Sequence, residues 1–517
     1  METLFVVIFA LVLAIINSIG FFAGLLNRPA NTVYLGTIHY WEDYFLYLNH
    51  FFQGAHGNWL VANRYTSEST APSILYWSNL LLGKIGGFIY LSPILSYNLS
   101  VILLSFLVLV TAYLLLKKIY PTDRLRALAG FFIGAAATSM INYIRVDGKP
   151  MWYPFQLWRT PHYAFDRLGG VPHQILQTLL FLCMTILYFH KNCAKPKIVA
   201  LLSLLTILLA TLNPVQAVMF IGAAWACTLA VPAMRKTHIP HLFLISIVAL
   251  SSLLVTNSVL SELPHLQSKL WEAGQHTITT LPFLLLSIGP VSLLFFIGLV
   301  PALRQKNPIL LFGSILVLGA YTLFLSGVPK LLGISNVRVI FPALYPFIGA
   351  VAVNGIFSLK SKHWIAIFLV LFLLLSLPTM RVELKEKLAP LKQTNDILLF
   401  LPENIYQGFT QLSQLPFDAV TLGNPASHID VLVPPLSGHT TYSGHPLATI
   451  NNAAKQAAAL RFFHLQKSDA SLWLKSNNIR FVLFTSYDGN KELFMKTYPF
   501  LRPIYANPDM TIFSVES

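Results

Sequence analysis

The sequence predicts a polytopic α-helical membrane protein of about 11 transmembrane helices, with a small external α/β domain at its C-terminal end. Three observations lead there. Hydrophobic residues fill 55% of the 517 positions and charged residues only 11%, where a soluble domain carries roughly 25% charge. Apolar runs near the ~20 residues that a helix needs to cross a bilayer recur along the first three quarters of the chain. Beyond residue 379 the composition changes: nine of the 20 acidic residues precede that point and the other eleven crowd into the last quarter.

The apolar runs lie at about 4–26, 99–116, 125–142, 172–190, 198–213, 215–232, 241–260, 282–303, 309–326, 340–358 and 363–379. The first lacks a basic leader and a small-residue cleavage site, so it is expected as a retained helix rather than a signal peptide. Alternate loops are short and basic: Lys117-Lys118 to Arg126, Lys191 to Lys197, Arg235-Lys236, Arg304 to Lys306 and Lys360 to Lys362. Positive loops stay in the cytoplasm. The N-terminus is therefore expected inside, and the loops 27–98, 143–171, 261–281 and 327–339 outside together with the tail.

Two domains follow: 1–379, transmembrane, with interfacial helices in the first external loop (27–98), and 380–517, extracytoplasmic. In the latter, Ala419–Leu422, Asp430–Val433, Arg480–Phe484 and Thr511–Val515 read as strands. Helical pattern lies between them at roughly 451–476, through Leu460, Phe463, Leu472 and Leu474. Alternating strands and helices suggest a small α/β domain.

Composition excludes several functions. The net charge of +15 is spread over short loops, where it sets topology and meets lipid phosphates. No basic stripe interleaved with aromatics is present, so no nucleic-acid partner is expected. Cys183, Cys193 and Cys227 form neither a disulfide framework nor a zinc motif. No nucleophile elbow and no phosphate-cradling Walker loop occurs, so hydrolase and ATPase readings have no support.

The first external loop holds the feature that points to chemistry. Three of the nine early acidic residues, Glu42, Asp43 and Glu68, fall within it, and ionisable groups beside a bilayer are costly unless paired, hydrated or used. Residues 39–53 read as an amphipathic helix lying on the membrane. Trp41, Tyr44, Phe45, Leu48, Phe51 and Phe52 form its apolar face and Asp43, Tyr47 and His50 a polar stripe. Gly54 and Gly57 are expected to end it, and a second surface helix to follow at 72–82 behind Pro72. The plain alternative is that the acidic pair only hydrates the helix.

The layout of one span, a long external loop opening on Glu42-Asp43, many further spans and an external C-terminal domain resembles the GT-C superfamily of glycosyltransferases. The run Glu42-Asp-Tyr-Phe-Leu-Tyr-Leu-Asn-His-Phe-Phe-Gln-Gly-Ala-His-Gly-Asn-Trp59, with Arg64-Tyr-Thr-Ser-Glu68, looks like the first loop of bacterial GT-C-like proteins. Gly438-His-Thr-Thr-Tyr-Ser-Gly-His445 and Ile479–Phe484 look like their appended domain. The resemblance implies sugar transfer from a polyprenyl-phosphate carrier to a glycan, lipid or protein acceptor, at the outer face of a bacterial plasma membrane. It implies that an early acidic residue, here Glu42 or Asp43, serves as the base or orients the acceptor. No Asp-x-Asp pair accompanies the loop, which departs from metal-dependent members, so neither a metal nor another cofactor is expected.

Such a transfer needs a carboxylate to take the acceptor proton and cations to receive the leaving phosphate. Asp43 is the first choice for the base, and Glu42 the second, since one residue of helix phase would exchange them. For the phosphate, Arg338 enters the tenth span from outside, with Lys330 nearby; a snorkelling anchor explains Arg338 equally well. Arg159, His162, Arg167 and His173 supply donors in the second external loop, although a salt bridge from Asp166 to Arg159 or Arg167 is the more ordinary explanation. Arg64 and Glu68 shape the acceptor side or pin the loop. His39, with His50 and His56, surrounds the acidic pair without a strict ligand spacing. Ser437-Gly-His439 and Gly444-His445-Pro446 read as turns. Two rival functions remain at this level: a transporter or flippase of a lipid-linked or anionic solute, against which the nearly charge-free spans argue, and a non-catalytic assembly protein on the same scaffold.

Overall fold

The computed structural model describes residues 2–37, 40–157, 168–359, 361–417 and 419–515, which divide into two compact units. The first comprises Met1–Ser18, Val101–Ser258 and Leu270–Lys387. The second comprises Ile19–Ser100, Val259–Lys269 and Leu388–Ser517.

A helix occupies each of the eleven apolar runs. Among the described residues, four are long and apolar enough to cross a membrane: Pro93–Ile119, Pro232–Val259, Pro308–Leu325 and the helix from His363. The number rises to six if the pairs Glu2–Asn17 with Ile19–Leu26 and Leu281–Ile288 with Pro290–Arg304 each count as one span. Pro172–Tyr188, Pro196–Leu212, Pro214–Ala230 and Leu344–Ser358 are apolar but shorter. The count of about 11 therefore stands at four to six by this criterion. Three of those four shorter helices have proline at N1 or N2, where its missing N–H is harmless and its fixed φ suits the first turn.

In the first unit, Leu344–Ser358 is the central helix, buried on nearly every side. Glycines let its neighbours approach backbone to backbone. A Cβ on Gly298 of Pro290–Arg304 would lie 2.0 Å from the Val351 carbonyl oxygen, and one on Gly349 2.3 Å from that of Gly130 in Arg124–Ala136. Close small-residue contacts of this kind hold helices together where no hydrophobic force can act between them. The pair Leu281–Ile288 and Pro290–Arg304 bends by 103° at Gly289, whose φ is 95°.

The run expected at 125–142 stops early. Arg124–Ala136 is followed by a hairpin of Ile141–Val146 and Lys149–Pro154. Its two-residue turn is Asp147-Gly148, both with positive φ (51° and 75°), the Asp-Gly chemistry that a tight hairpin demands.

The second unit contains a mixed five-stranded sheet in the order Thr440–Thr441, Val420–Leu422, Ile479–Thr485, Met510–Val515, Leu501–Ala506. The first three strands run parallel and the last two pair antiparallel. Phe462, stacked on Tyr498 with centroids 4.6 Å apart, anchors a core with Leu474, Val482 and Phe513. Asp430–Val433, expected as a strand, lies in the helix Ile429–Ser437; its apolar residues are buried without alternation, and a short apolar run cannot distinguish the two states. The helical stretch 451–476 is two helices, Asn452–Phe463 and Ala470–Ser476. A separate pair, Thr32–Tyr34 with Phe400–Pro402, runs antiparallel.

The acidic helix spans Trp41–Ala55 and the next Trp77–Phe88. Gly54 lies inside the former rather than ending it, and the latter begins five residues later than the expected 72. A Cβ on Gly54 would meet the Leu80 carbonyl oxygen at 2.2 Å, and one on Gly83 the Phe51 carbonyl oxygen at 2.3 Å. This contact changes the role of the aromatic face. Phe45, Leu48 and Phe51 are fully buried in protein, each contributing about 1.5–3 kcal/mol of burial, so the face is core and not a membrane-lying surface. The exposed apolar stripe belongs to the second helix, through Leu81, Ile85 and Phe88, with the Lys84 ammonium 4.2 Å from the centre of the Trp59 ring.

Candidate active site

Glu42 and Asp43 occupy the first turn of the acidic helix. The preceding residue, Tyr40, is left-handed (φ 45°) and gives no side-chain cap, so the carboxylates complement the positive helix end by charge. Both are partly exposed. Trp41 packs on His428 with ring centroids 4.8 Å apart, where the helix Ile429–Ser437 begins and runs against the acidic helix.

Asp43 faces His445. Asp43 Oδ1 lies 3.7 Å from His445 Nε2, with the carboxylate 37% and the imidazole 4% exposed. On its other side the ring accepts the main-chain N–H groups of Leu447 and Ala448 at Nδ1, at 3.1 and 3.0 Å. The His445 N–H itself donates to Thr449 Oγ1 at 3.3 Å. The turn read in Gly444-His445-Pro446 is present, and its side chain is directed at the acidic pair.

The two first-loop and C-terminal segments that the sequence singled out are woven together. Thr441 N–H donates to the Arg64 carbonyl (2.9 Å), Asn63 Nδ2 to the Ala448 carbonyl (2.8 Å), Thr449 Oγ1 to the Tyr65 carbonyl (2.5 Å) and Ile450 N–H to Thr66 Oγ1 (3.2 Å). Arg64 donates to Thr440 Oγ1 and to the Phe417 carbonyl at 3.2 and 3.5 Å, which is a pinning role. Burial pulls its pKa down. Glu68 accepts from Lys455 Nζ at 2.5 Å and from the Thr66 hydroxyl. Partial burial pushes the Glu68 carboxyl up, but Lys455 and Thr66 outweigh it and hold it below its ordinary value.

Beneath this weave Asp430 is buried. Burial pushes its carboxyl up to about 7, against the main-chain N–H of Val431 and the Ser443 hydroxyl, which favour the anion. Tyr65 donates to the Val431 carbonyl at 3.1 Å. Asp430, His445 and Lys455 escaped the sequence reading: each stands in a run whose pattern spoke only of strand, turn or helix.

The other expected residues sit elsewhere. Arg338 lies in the first unit, in the turn Asn336–Val339. Its Nε and Nη2 donate to the two oxygens of Glu272 at 2.5 and 2.6 Å, a fork-to-fork pair. Lys330 is exposed on the short helix Val328–Leu331, and His173 is buried in the first turn of Pro172–Tyr188. His50 is buried and stacked on Tyr76. His56 stacks on Phe52 at 4.0 Å. His39, Arg159, His162 and Arg167 lie outside the described residues. Among the described residues no group of three or more His, Cys, Asp or Glu side chains is placed to hold a metal ion. In the first unit a partly open, mainly apolar cleft is lined by Val108, Leu109, Phe131, Leu168, Pro342 and Tyr345, among others.

Neither a protein-family model nor a curated protein matches the sequence. Solved structures do match the fold. The archaeal oligosaccharyltransferase AglB from Archaeoglobus fulgidus, in complex with an inhibitory peptide and a dolichol-phosphate, aligns at TM-score 0.51 and 11% identity over 93% of this chain and 69% of its own. The mycobacterial arabinofuranosyltransferase AftD aligns at TM-score 0.51 and 13% identity over 100% of this chain. Both are GT-C glycosyltransferases.

The chain has the GT-C fold.

A second structure of the A. fulgidus oligosaccharyltransferase, tethered to an acceptor peptide containing the NVT sequon, aligns at TM-score 0.50 and 11% identity, over 100% of this chain and 74% of its own. The chain spans only 40% of the length of AftD. At such identities the likeness is one of GT-C architecture, and side-chain roles have to come from this chain's own geometry.

Proposed function

We propose that this protein is a membrane glycosyltransferase that moves a sugar from a polyprenyl-phosphate carrier to an acceptor hydroxyl or amide, with Asp43 as the general base. The observation that carries the proposal is the pairing of Asp43 with His445 within a GT-C fold. AglB was solved with a dolichol-phosphate and AftD transfers arabinofuranose, which supports a lipid-linked donor. In the step itself, the acceptor oxygen or nitrogen attacks the anomeric carbon while the C–O bond to phosphate breaks. The bonding pair leaves with the phosphate, the acceptor proton passes to Asp43, and configuration inverts. The alternating basic loops support a site on the extracytoplasmic face, with the N-terminus inside. Arg338, held by Glu272, is the candidate for receiving the phosphate.

The test uses radiolabelled undecaprenyl- and dolichyl-phosphate sugars with glycoside and peptide acceptors, and purified protein in nanodiscs. Asp43→Asn is expected to lower transfer by about 100-fold or more, and Glu42→Gln by less than about tenfold. Unchanged transfer in the Asp43→Asn/Glu42→Gln double variant would overturn the proposal.

A further inference from the structure

We infer that His445 is a positioning residue for Asp43, held in one tautomer so that it presents an N–H to the carboxylate. The inference rests on the proposed role of Asp43 and adds a partner from the opposite end of the chain.

Both ring nitrogens have defined surroundings. Nδ1 faces two main-chain donors, the N–H groups of Leu447 and Ala448. A nitrogen that accepts two N–H groups carries no hydrogen of its own, so the neutral ring bears its hydrogen on Nε2. That nitrogen is buried without a hydrogen-bond partner among the described residues, and the ionisable oxygen in reach of it is Asp43 Oδ1 at 3.7 Å. Buried N–H groups are rarely left unsatisfied, and the exceptions cluster where function needs them. The separation is slightly beyond a direct hydrogen bond. Catalytic hydrogen bonds are often long in the absence of substrate and tighten in the reacting complex.

The rest of the loop keeps the ring still. His445 N–H is tied to Thr449 Oγ1, and Thr449 to the Tyr65 carbonyl, so the imidazole has a fixed height above the acidic helix. Tyr65 packs edge-on against it, with ring centroids 5.9 Å apart. In this tautomer His445 is a donor with no free acceptor nitrogen, so it is not the group that takes the acceptor proton. Its part is to aim the Oδ1 oxygen of Asp43.

Asparagine and glutamine separate the functions of the two nitrogens. The Asn side-chain oxygen takes the place of Nδ1 and keeps the turn, but it removes the donor to Asp43. The Gln side-chain amide reaches the place of Nε2 and restores that donor. The first readout needs no substrate. Nitrogen NMR of protein labelled at histidine, with His445 assigned by its loss in His445→Asn, is expected to show the Nε2-protonated form. That resonance should move in Asp43→Asn. An Nδ1-protonated ring, or a His445 resonance indifferent to Asp43→Asn, overturns the inference even if transfer depends on Asp43. The second readout is transfer with whichever donor and acceptor the wild type turns over. We expect His445→Asn to lower kcat about 100-fold with acceptor KM within threefold, and His445→Gln to recover to within tenfold of wild type. Equal losses in both variants, or loss in neither, overturn the positioning role. Full transfer by Asp43→Asn instead overturns the role of Asp43 itself, so the two failures are distinguishable.

Discussion

Lys455 donates to Glu68 at 2.5 Å although 387 residues separate them in sequence. The ammonium is nearly enclosed, with a side chain 7% exposed, while the carboxylate is 40% exposed. Ser67 and Thr66 hydroxyls accept the remaining Lys455 protons at 2.9 and 3.2 Å.

Half-exposed pairs contribute modestly, so Glu68→Gln is expected to destabilise the second unit by about 1 kcal/mol. Lys455→Met should act similarly, and the double variant should lose less than the sum. Because the Glu68 carboxyl titrates below its ordinary value in the fold, its contribution is complete above the unfolded pKa and disappears as pH falls through the folded one. Thermal unfolding of wild type and Glu68→Gln should therefore converge at low pH. Curves that stay parallel down to pH 3 would contradict this.

Asp430 predicts the opposite slope. Its folded pKa of about 7 lies above its unfolded value, so the fold binds more protons than the unfolded chain between those limits. Stability falls as pH rises through that window and is flat beyond it. Asp430→Asn keeps the contacts to Val431 and Ser443 and removes the charge. Its melting temperature should exceed that of wild type at pH 8 and approach it at pH 5. No difference between the two pH values would mean that Asp430 is not buried as described.

The glycine contacts of the acidic helix make a steric prediction. Gly83→Val and Gly54→Val would drive side chains into the carbonyls of Phe51 and Leu80, and overpacking of this kind costs about 1–3 kcal/mol or more. Gly57→Ala meets nothing within 4 Å and should be limited to the backbone strain of its φ of 95°. Proteolysis in detergent would rank the three; Gly57→Ala as fragile as Gly83→Val would contradict the helix contact.

The Arg338–Glu272 fork predicts that lysine will not replace arginine. Arg338→Lys keeps the charge but cannot make two parallel N–H···O bonds, and a loss of about 1–2 kcal/mol is expected for a partly exposed pair. If Arg338 also receives the phosphate, Glu272→Gln should raise donor KM by disordering the guanidinium while leaving kcat within a few-fold. An unchanged donor KM in both variants would remove Arg338 from the site.

Much of the helical architecture was legible in the sequence, since bilayer-length apolar runs leave few alternatives to a helix. Breaks within the runs were not, because Gly289 at a bend and a hairpin after Ala136 interrupt them in ways that mean hydropathy averages away. The Asp147-Gly148 hairpin was signalled by its turn residues but hidden by the apolar run before it. Asp43 was visible because acidic residues are scarce before residue 380. His445 and Lys455 were not, since their partners Asp43 and Glu68 lie about four hundred positions earlier and no local pattern encodes a pairing at that range. The buried aromatic face of the acidic helix could equally have rested on lipid; only Gly54 and Gly83, read as a matched pair, would have revealed the second helix against it.

The weave between 63–68 and 441–455 has a consequence for the timing of synthesis. At roughly 5–20 residues per second, the ribosome delivers Thr449 and Lys455 some 20–80 s after Tyr65 and Glu68. Throughout that interval the acidic helix exists without His445, and the first loop must persist with its partners still unmade. A nascent chain is therefore expected to be silent until its last quarter has been made, and a truncation that spares every apolar helix but removes residues 440–455 is expected to lack both His445 and Lys455 while keeping Asp43 and Glu68.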